Sequence, residues 1–102
     1  MDRSDELKLI AQTQEQDQNG VWRKTETARK IFVQVGSVTR TEFFEGGRNG
    51  LNPAYVFRCF FADYNGETIC EYAGKRYAIY RTYLGRNDVL ELYAERKGGT
   101  NG

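Results

Sequence analysis

An all-β fold, mainly antiparallel and built as a small six-stranded barrel or sandwich with one long, partly helical loop, is predicted by three observations. Strand-forming residues alternate between two faces over short stretches. Turn dipeptides, Asn19-Gly20, Asn65-Gly66 and Ala73-Gly74, punctuate these stretches at short spacing. Aromatic residues are abundant, with 7 Tyr and 6 Phe in 102 residues, while proline occurs once, which favours strands and tight turns over a disordered chain. A chain of this length suits one domain spanning 1–102 with a small core.

Taken in order, Leu7, Leu9 and Ile10 place a first strand at about 7–14, inside an otherwise polar opening that ends in the Gln-rich run before Asn19-Gly20. Val21 and Trp22 begin a return strand or a packed connection, and Trp22 is read as a core or edge anchor. From Ala28 to Val38 the alternation is clearest, with Ile31, Val33 and Val35 on one face and Lys30, Phe32 and Gln34 on the other. The segment 39–53, TRTEFFEGGRNGLNP, then breaks the rhythm. Thr41 to Glu45 suit one helical turn, stopped by Gly46-Gly47, with mobile loop after it. A loop of this length is usually functional, and the adjacent Phe43 and Phe44 argue that it docks on this subunit or on a neighbour.

Tyr55 to Asp63 is apolar on both faces and reads as a central or partner-contacting strand. Asp63 to Leu84 reads as the centre of a β-meander. Asn65-Gly66 and Ala73-Gly74 turn about a short strand at 68–72, and a longer strand at 75–84 sets Tyr77, Ile79, Arg81 and Tyr83 against Ala78, Tyr80, Thr82 and Leu84. A turn at 85–88 leads to a last strand at 89–95, in which Leu90, Leu92 and Ala94 alternate with Glu91, Tyr93 and Glu95. The tail 97–102, KGGTNG, is expected to be flexible.

Composition limits the chemistry. The formal net charge of +1 argues against attraction of the whole chain to nucleic acid or anionic lipid. Apolar runs are too short to span a bilayer, and the N-terminal residues lack the basic-then-apolar plan of a signal peptide, so a soluble, cytosolic product is expected. Cys59 and Cys70 sit within apolar strand patterns and read as small core residues, with a disulfide between them left open. With no histidine the commonest general base and metal ligand is missing. Glu67, Glu71, Glu91 and Glu95 recur at alternate strand positions, where solvated charge is the ordinary meaning. GGRNG at 46–50 lacks the lysine and hydroxyl residue that complete a phosphate-binding loop. No enzyme activity, cofactor or metal is therefore expected. Tyr77, Tyr80 and Tyr83 with Arg76 and Arg81 leave open a second class, a β-barrel that stacks single-stranded nucleic acid.

The run from Arg29 to Arg96 resembles the small head closure proteins of tailed bacteriophages and prophages, also called head-tail joining or stopper proteins. The most specific portions are SVTRTEFFEGGRNGLNP and DYNGETICEYAGKRYAIYRTY, the latter followed by VLELYAE. Those portions consist of turn glycines and core positions. The aromatic enrichment at Phe43, Phe44, Phe60 and Phe61 departs from the commoner long-tailed-phage pattern.

The resemblance implies a structural virion protein at the head-tail junction, present in the host cytoplasm during assembly. It would dock beneath the portal and adaptor rings as a ring of subunits, meet a tail-completion protein, and close the exit channel around packaged double-stranded DNA. The resemblance leaves room for a free subunit that is a monomer and joins the ring on docking. The closing loop falls on 39–53, with Arg40, Glu42, Phe43, Phe44, Arg48 and Asn49 facing the channel and Gly46 and Gly47 as joints. The two-sided apolar strand would supply subunit or partner contacts through Tyr55, Phe57, Phe60 and Phe61.

Overall fold

A computed structural model describes residues 3–96, and the tail expected at 97–102 lies outside them. Six strands, β1 (Asp5–Gln16), β2 (Trp22–Ser37), β3 (Pro53–Phe60), β4 (Ile69–Tyr72), β5 (Lys75–Leu84) and β6 (Val89–Arg96), form a closed antiparallel barrel in the order β1-β2-β3-β6-β5-β4. Among the described residues there is one α-helix, α1 (Arg40–Arg48), which lies between β2 and β3. The expected fold class is thus observed, as a barrel and not a sandwich.

Closure follows from the alternation. Leu7 and Leu9 of β1, Ile31 and Val33 of β2, Phe57 and Cys59 of β3, Cys70 of β4, Tyr77 and Ile79 of β5, and Leu90, Leu92 and Ala94 of β6 form one buried cluster. Each fully buried large side chain contributes about 1.5–3 kcal/mol of transfer free energy. Both cysteines are free and wholly buried, as expected of core residues. Burial pushes the Cys59 thiol up to about 11, helped by the nearby Asp63 carboxylate, and that of Cys70 up to about 12.

Ala73 (φ 53°) and Gly74 (φ 79°) both adopt left-handed backbone, the signature of a type I′ turn, and join β4 to β5. Asn65-Gly66 does not make the expected hairpin. Only Gly66 has positive φ, and β4 pairs with β1 and β5 while β3 pairs with β2 and β6. The connection is a 3₁₀ turn at Phe61–Asp63 and a loop organised by Glu67, which is buried and not a solvated strand carboxylate. Its oxygens accept from the Asn65 N–H at 2.9 Å and from Arg29 at 2.9 Å, and the Tyr64 hydroxyl donates to its carbonyl at 2.6 Å.

The face assignment along β5 also changes part-way. Ile79 pairs with Ala94 but Arg81 with Tyr93, so Tyr80 is an extra residue at a β-bulge. Tyr80 and Arg81 both turn to the outer face, beside Tyr93, and the alternation beyond them is inverted relative to the sequence reading.

Strands β1 and β2 outrun the barrel. They pair continuously from Asp5↔Val33 to Gln16↔Trp22, yet β4 covers β1 only over Lys8–Ile10 and β3 covers β2 only over Gln34–Ser37. Beyond the barrel they continue as a two-stranded arm closed by residues 17–21, where Asp17 accepts the N–H groups of Asn19 and Val21, each at 2.9 Å. Trp22, expected as an anchor, is 64 % exposed near the tip of this arm.

Candidate functional site

The segment 39–53 is an ordered helix and return, in place of the single turn and mobile loop expected. Thr39 caps its start, the hydroxyl accepting from the Glu42 N–H at 3.1 Å. Glu42 in the first turn and Arg48 in the last both complement the helix dipole. The helix runs through Gly46-Gly47 and ends in a Schellman motif, with Leu51 N–H donating to the Gly46 carbonyl at 2.8 Å and Gly50 N–H to that of Gly47 at 3.1 Å. Gly50 supplies the positive φ of 79° that this termination requires. Gly46 acts by size and not as a joint: a Cβ there would lie 2.6 Å from Pro53 Cγ, so its lack of a side chain lets the helix press onto the start of β3. A Cβ on Gly47 would meet nothing within 4 Å.

A chain of polar contacts fastens this helix to the outer wall. The Glu42 carboxylate accepts from the Tyr80 hydroxyl and from Arg81, whose guanidinium lies 3.7 Å from the centre of the Tyr93 ring. The Tyr93 hydroxyl donates to Glu91 at 2.6 Å, and Arg58 donates to the other oxygen of that carboxylate at 3.0 Å. Arg81 holds the Glu42 carboxyl below the usual carboxylate range. Burial and the neighbouring Glu42 charge push the Tyr80 phenol upward. The β5 bulge builds this site, because a regular strand would send Tyr80 and Arg81 to opposite faces.

The expected channel residues therefore divide. Glu42 and Gly46 are spent on docking the helix. Arg40, Phe43, Phe44, Arg48 and Asn49 remain exposed, with the two phenyl rings edge to face at 5.8 Å. Arg48 pairs loosely with Glu45 at 3.8 Å, and the Asn49 amide donates back to the Glu45 carbonyl at 3.0 Å.

The expected contact residues divide as well. Phe57 is wholly buried in the core, while Tyr55 is half-buried and packs on Phe57, Tyr72 and Tyr77 at ring distances of 5.3–5.6 Å. Phe60 and Phe61 are exposed, beside Arg3, which lies 4.2 Å from the Phe60 ring centre and pairs with Asp63 at 3.6 Å. Of the residues read as a stacking surface, Tyr77 is in the core, Tyr80 and Arg81 are engaged by Glu42, and Arg76 is held by Glu26 at 2.7 and 3.0 Å. Tyr83 is 58 % exposed.

The arm is the feature that sequence reading missed. Its signal was present in the Thr, Gln and charged residues of 11–28 about Asn19-Gly20, but polar alternation with no apolar face marks no core. Among the described residues no group of three or more His, Cys, Asp and Glu is placed to hold a metal ion. No protein-family model matches this chain, and no curated protein was found to match it.

Proposed function

We propose that the chain is a head closure protein of a tailed phage or prophage, docking as a ring beneath the portal and adaptor and closing the DNA exit channel with the segment 39–53. The observation that carries this reading is the pairing of a rigid, closed barrel with a separately capped helix that presents Phe43 and Phe44 to solvent. Exposed adjacent phenylalanines on a docked element mark an interaction surface, since burial inside the subunit would have been the lower-energy arrangement for an isolated protein. The resemblance over 29–96 points to the same segment.

In this reading the barrel forms the ring wall and α1 forms the inward-facing element, its bulk supplied by the two rings. Partners are the portal or adaptor ring on one side and a tail-completion protein on the other. A net charge of +1 suits a wall past which DNA must slide without sticking. The stacking-barrel alternative is less well supported, because Tyr77 is internal and Tyr80 and Arg81 are already bonded to Glu42.

The decisive experiment mixes the purified chain with DNA-filled, tail-less capsids that carry portal and adaptor, sediments them, and challenges the packaged DNA with nuclease. The intact chain is expected to sediment with the capsids and protect the DNA. A Phe43→Ser, Phe44→Ser double variant is expected to bind without protecting, since both rings are exposed and their loss leaves the core intact. Absence of binding by the intact chain would remove the reading.

A further inference from the structure

The arm presents two unpaired strand edges, one on each side of the same ribbon. On β1, residues 11–16 have β2 as their only strand partner, since pairing with β4 stops at Ile10. On β2, residues 22–33 have β1 as their only strand partner, since pairing with β3 begins at Gln34. The rest of the barrel is closed on itself, which removes edges, so these two are the long free edges among the described residues.

Isolated two-stranded ribbons are marginal in water. This one is nevertheless braced. Arg76 of β5 grips Glu26 through two bonds of 2.7 and 3.0 Å, Gln12 donates to the same carboxylate at 3.0 Å, and the hydroxyls of Thr13 and Thr25 lie 2.6 Å apart across the strands. Bracing from β5 fixes the direction of the ribbon and leaves its backbone edges free, which is preorganisation for strand addition.

We propose that a second copy of this chain adds to the arm, the β1 edge of one copy pairing with the β2 edge of the next. Geometry favours this head-to-tail occupant over a symmetric one. The two edges lie on opposite sides of the ribbon, so joining unlike edges leaves one of each free and the contact repeats, as a ring requires. Charge agrees: the β1 edge at 11–16 carries one charged residue, the acid Glu15, and the β2 edge offers Lys24, while its neighbour Arg23 is already paired with Asp17 of the same chain at 3.1 Å. Two β1 edges brought together would bring the Glu15 acids together with no base on either side. The inference rests on the ring reading above and names the surface through which neighbouring subunits would meet.

Cross-linking of full-chain variants that each gain one surface cysteine tests it, because Cys59 and Cys70 are wholly buried and leave the new thiol as the reactive one. Gln14→Cys marks the β1 edge and Thr27→Cys the β2 edge, both exposed and neither carrying the charges argued above, and the two proteins carry different affinity tags. With a short bis-maleimide at the highest soluble concentration, the mixture is expected to give a covalent dimer containing one copy of each, and neither variant alone is expected to do so. A dimer of Gln14→Cys with itself would overturn the head-to-tail pairing, and no dimer from the mixture would overturn the arm as an interface. The capsid experiment separates the two readings. Nuclease protection without arm cross-links sinks only the arm, and arm cross-links without capsid binding sink only the head closure reading.

Discussion

Gly46 and Gly47 are neighbours in one helix, yet they carry opposite instructions. Each costs the helix about 1 kcal/mol relative to alanine through backbone entropy. At Gly47 nothing offsets that cost, because the space a methyl group would enter is open. At Gly46 the cost is offset by closeness, since Pro53 Cγ and Cδ would lie 2.6 and 3.2 Å from a Cβ. Gly47→Ala is therefore expected to raise stability by about 1 kcal/mol. Gly46→Ala is expected to lower it by about 1–3 kcal/mol through overpacking. Urea unfolding midpoints of the two variants against the parent chain measure both. Equal shifts of the same sign would show that helix propensity alone governs this segment.

The elements that sequence alternation predicted best are those whose every second side chain enters the barrel. Along 29–35 and 89–95 the faces were read as they occur, because Ile31, Val33, Leu90, Leu92 and Ala94 report directly on burial. Where alternation stopped being informative, the reading failed for identifiable reasons. The bulge at Tyr80 leaves no mark in a tyrosine-rich strand, and Glu67 looks like any strand carboxylate until Arg29, 38 positions earlier, is brought beside it. The helix was legible as one turn, but its passage through two glycines depends on Pro53, which the local sequence does not place against Gly46. Turn chemistry was legible at residues 73 and 74 and misleading at 65 and 66, where a buried carboxylate and not a hairpin shapes the chain. The turn that was read correctly remains imperfect, since Ala73 occupies left-handed backbone at φ 53°. L-alanine there costs about 1–2 kcal/mol, whereas asparagine tolerates it and gives the favoured Asn-Gly pair. Ala73→Asn is thus expected to stabilise the β4–β5 hairpin by about 1 kcal/mol, read as a higher melting temperature with an unchanged far-ultraviolet circular dichroism spectrum.

At the scale of the whole molecule the structure divides into two tiers of attachment. The six strands share one buried cluster and a closed ladder, so they must open together. The helix α1 lies outside that ladder, held by the fit of Gly46 on Pro53 and by Glu42 against Tyr80 and Arg81. Its release breaks these contacts without opening the closed ladder, which would free the phenylalanine-bearing segment while the barrel persists. Acid should select between the tiers. The folded-state Glu42 carboxyl lies below the ordinary glutamate value of 4.5, chiefly because Arg81 donates to it, so its stabilising contribution is full above that ordinary value. The contribution fades as pH falls through the lowered folded value, because protonation removes the charge that Arg81 holds. Hydrogen exchange, corrected for its intrinsic pH dependence, is expected to show protection of residues 43–48 falling below pH 4.5 while that of β3 and β6 is retained. Glu42→Gln should reproduce this loss at neutral pH and abolish its dependence on acid, since the glutamine carbonyl still accepts a hydrogen bond but carries no charge. Simultaneous loss of protection in helix and strands would show instead that α1 is integral to the barrel and is not released apart from it.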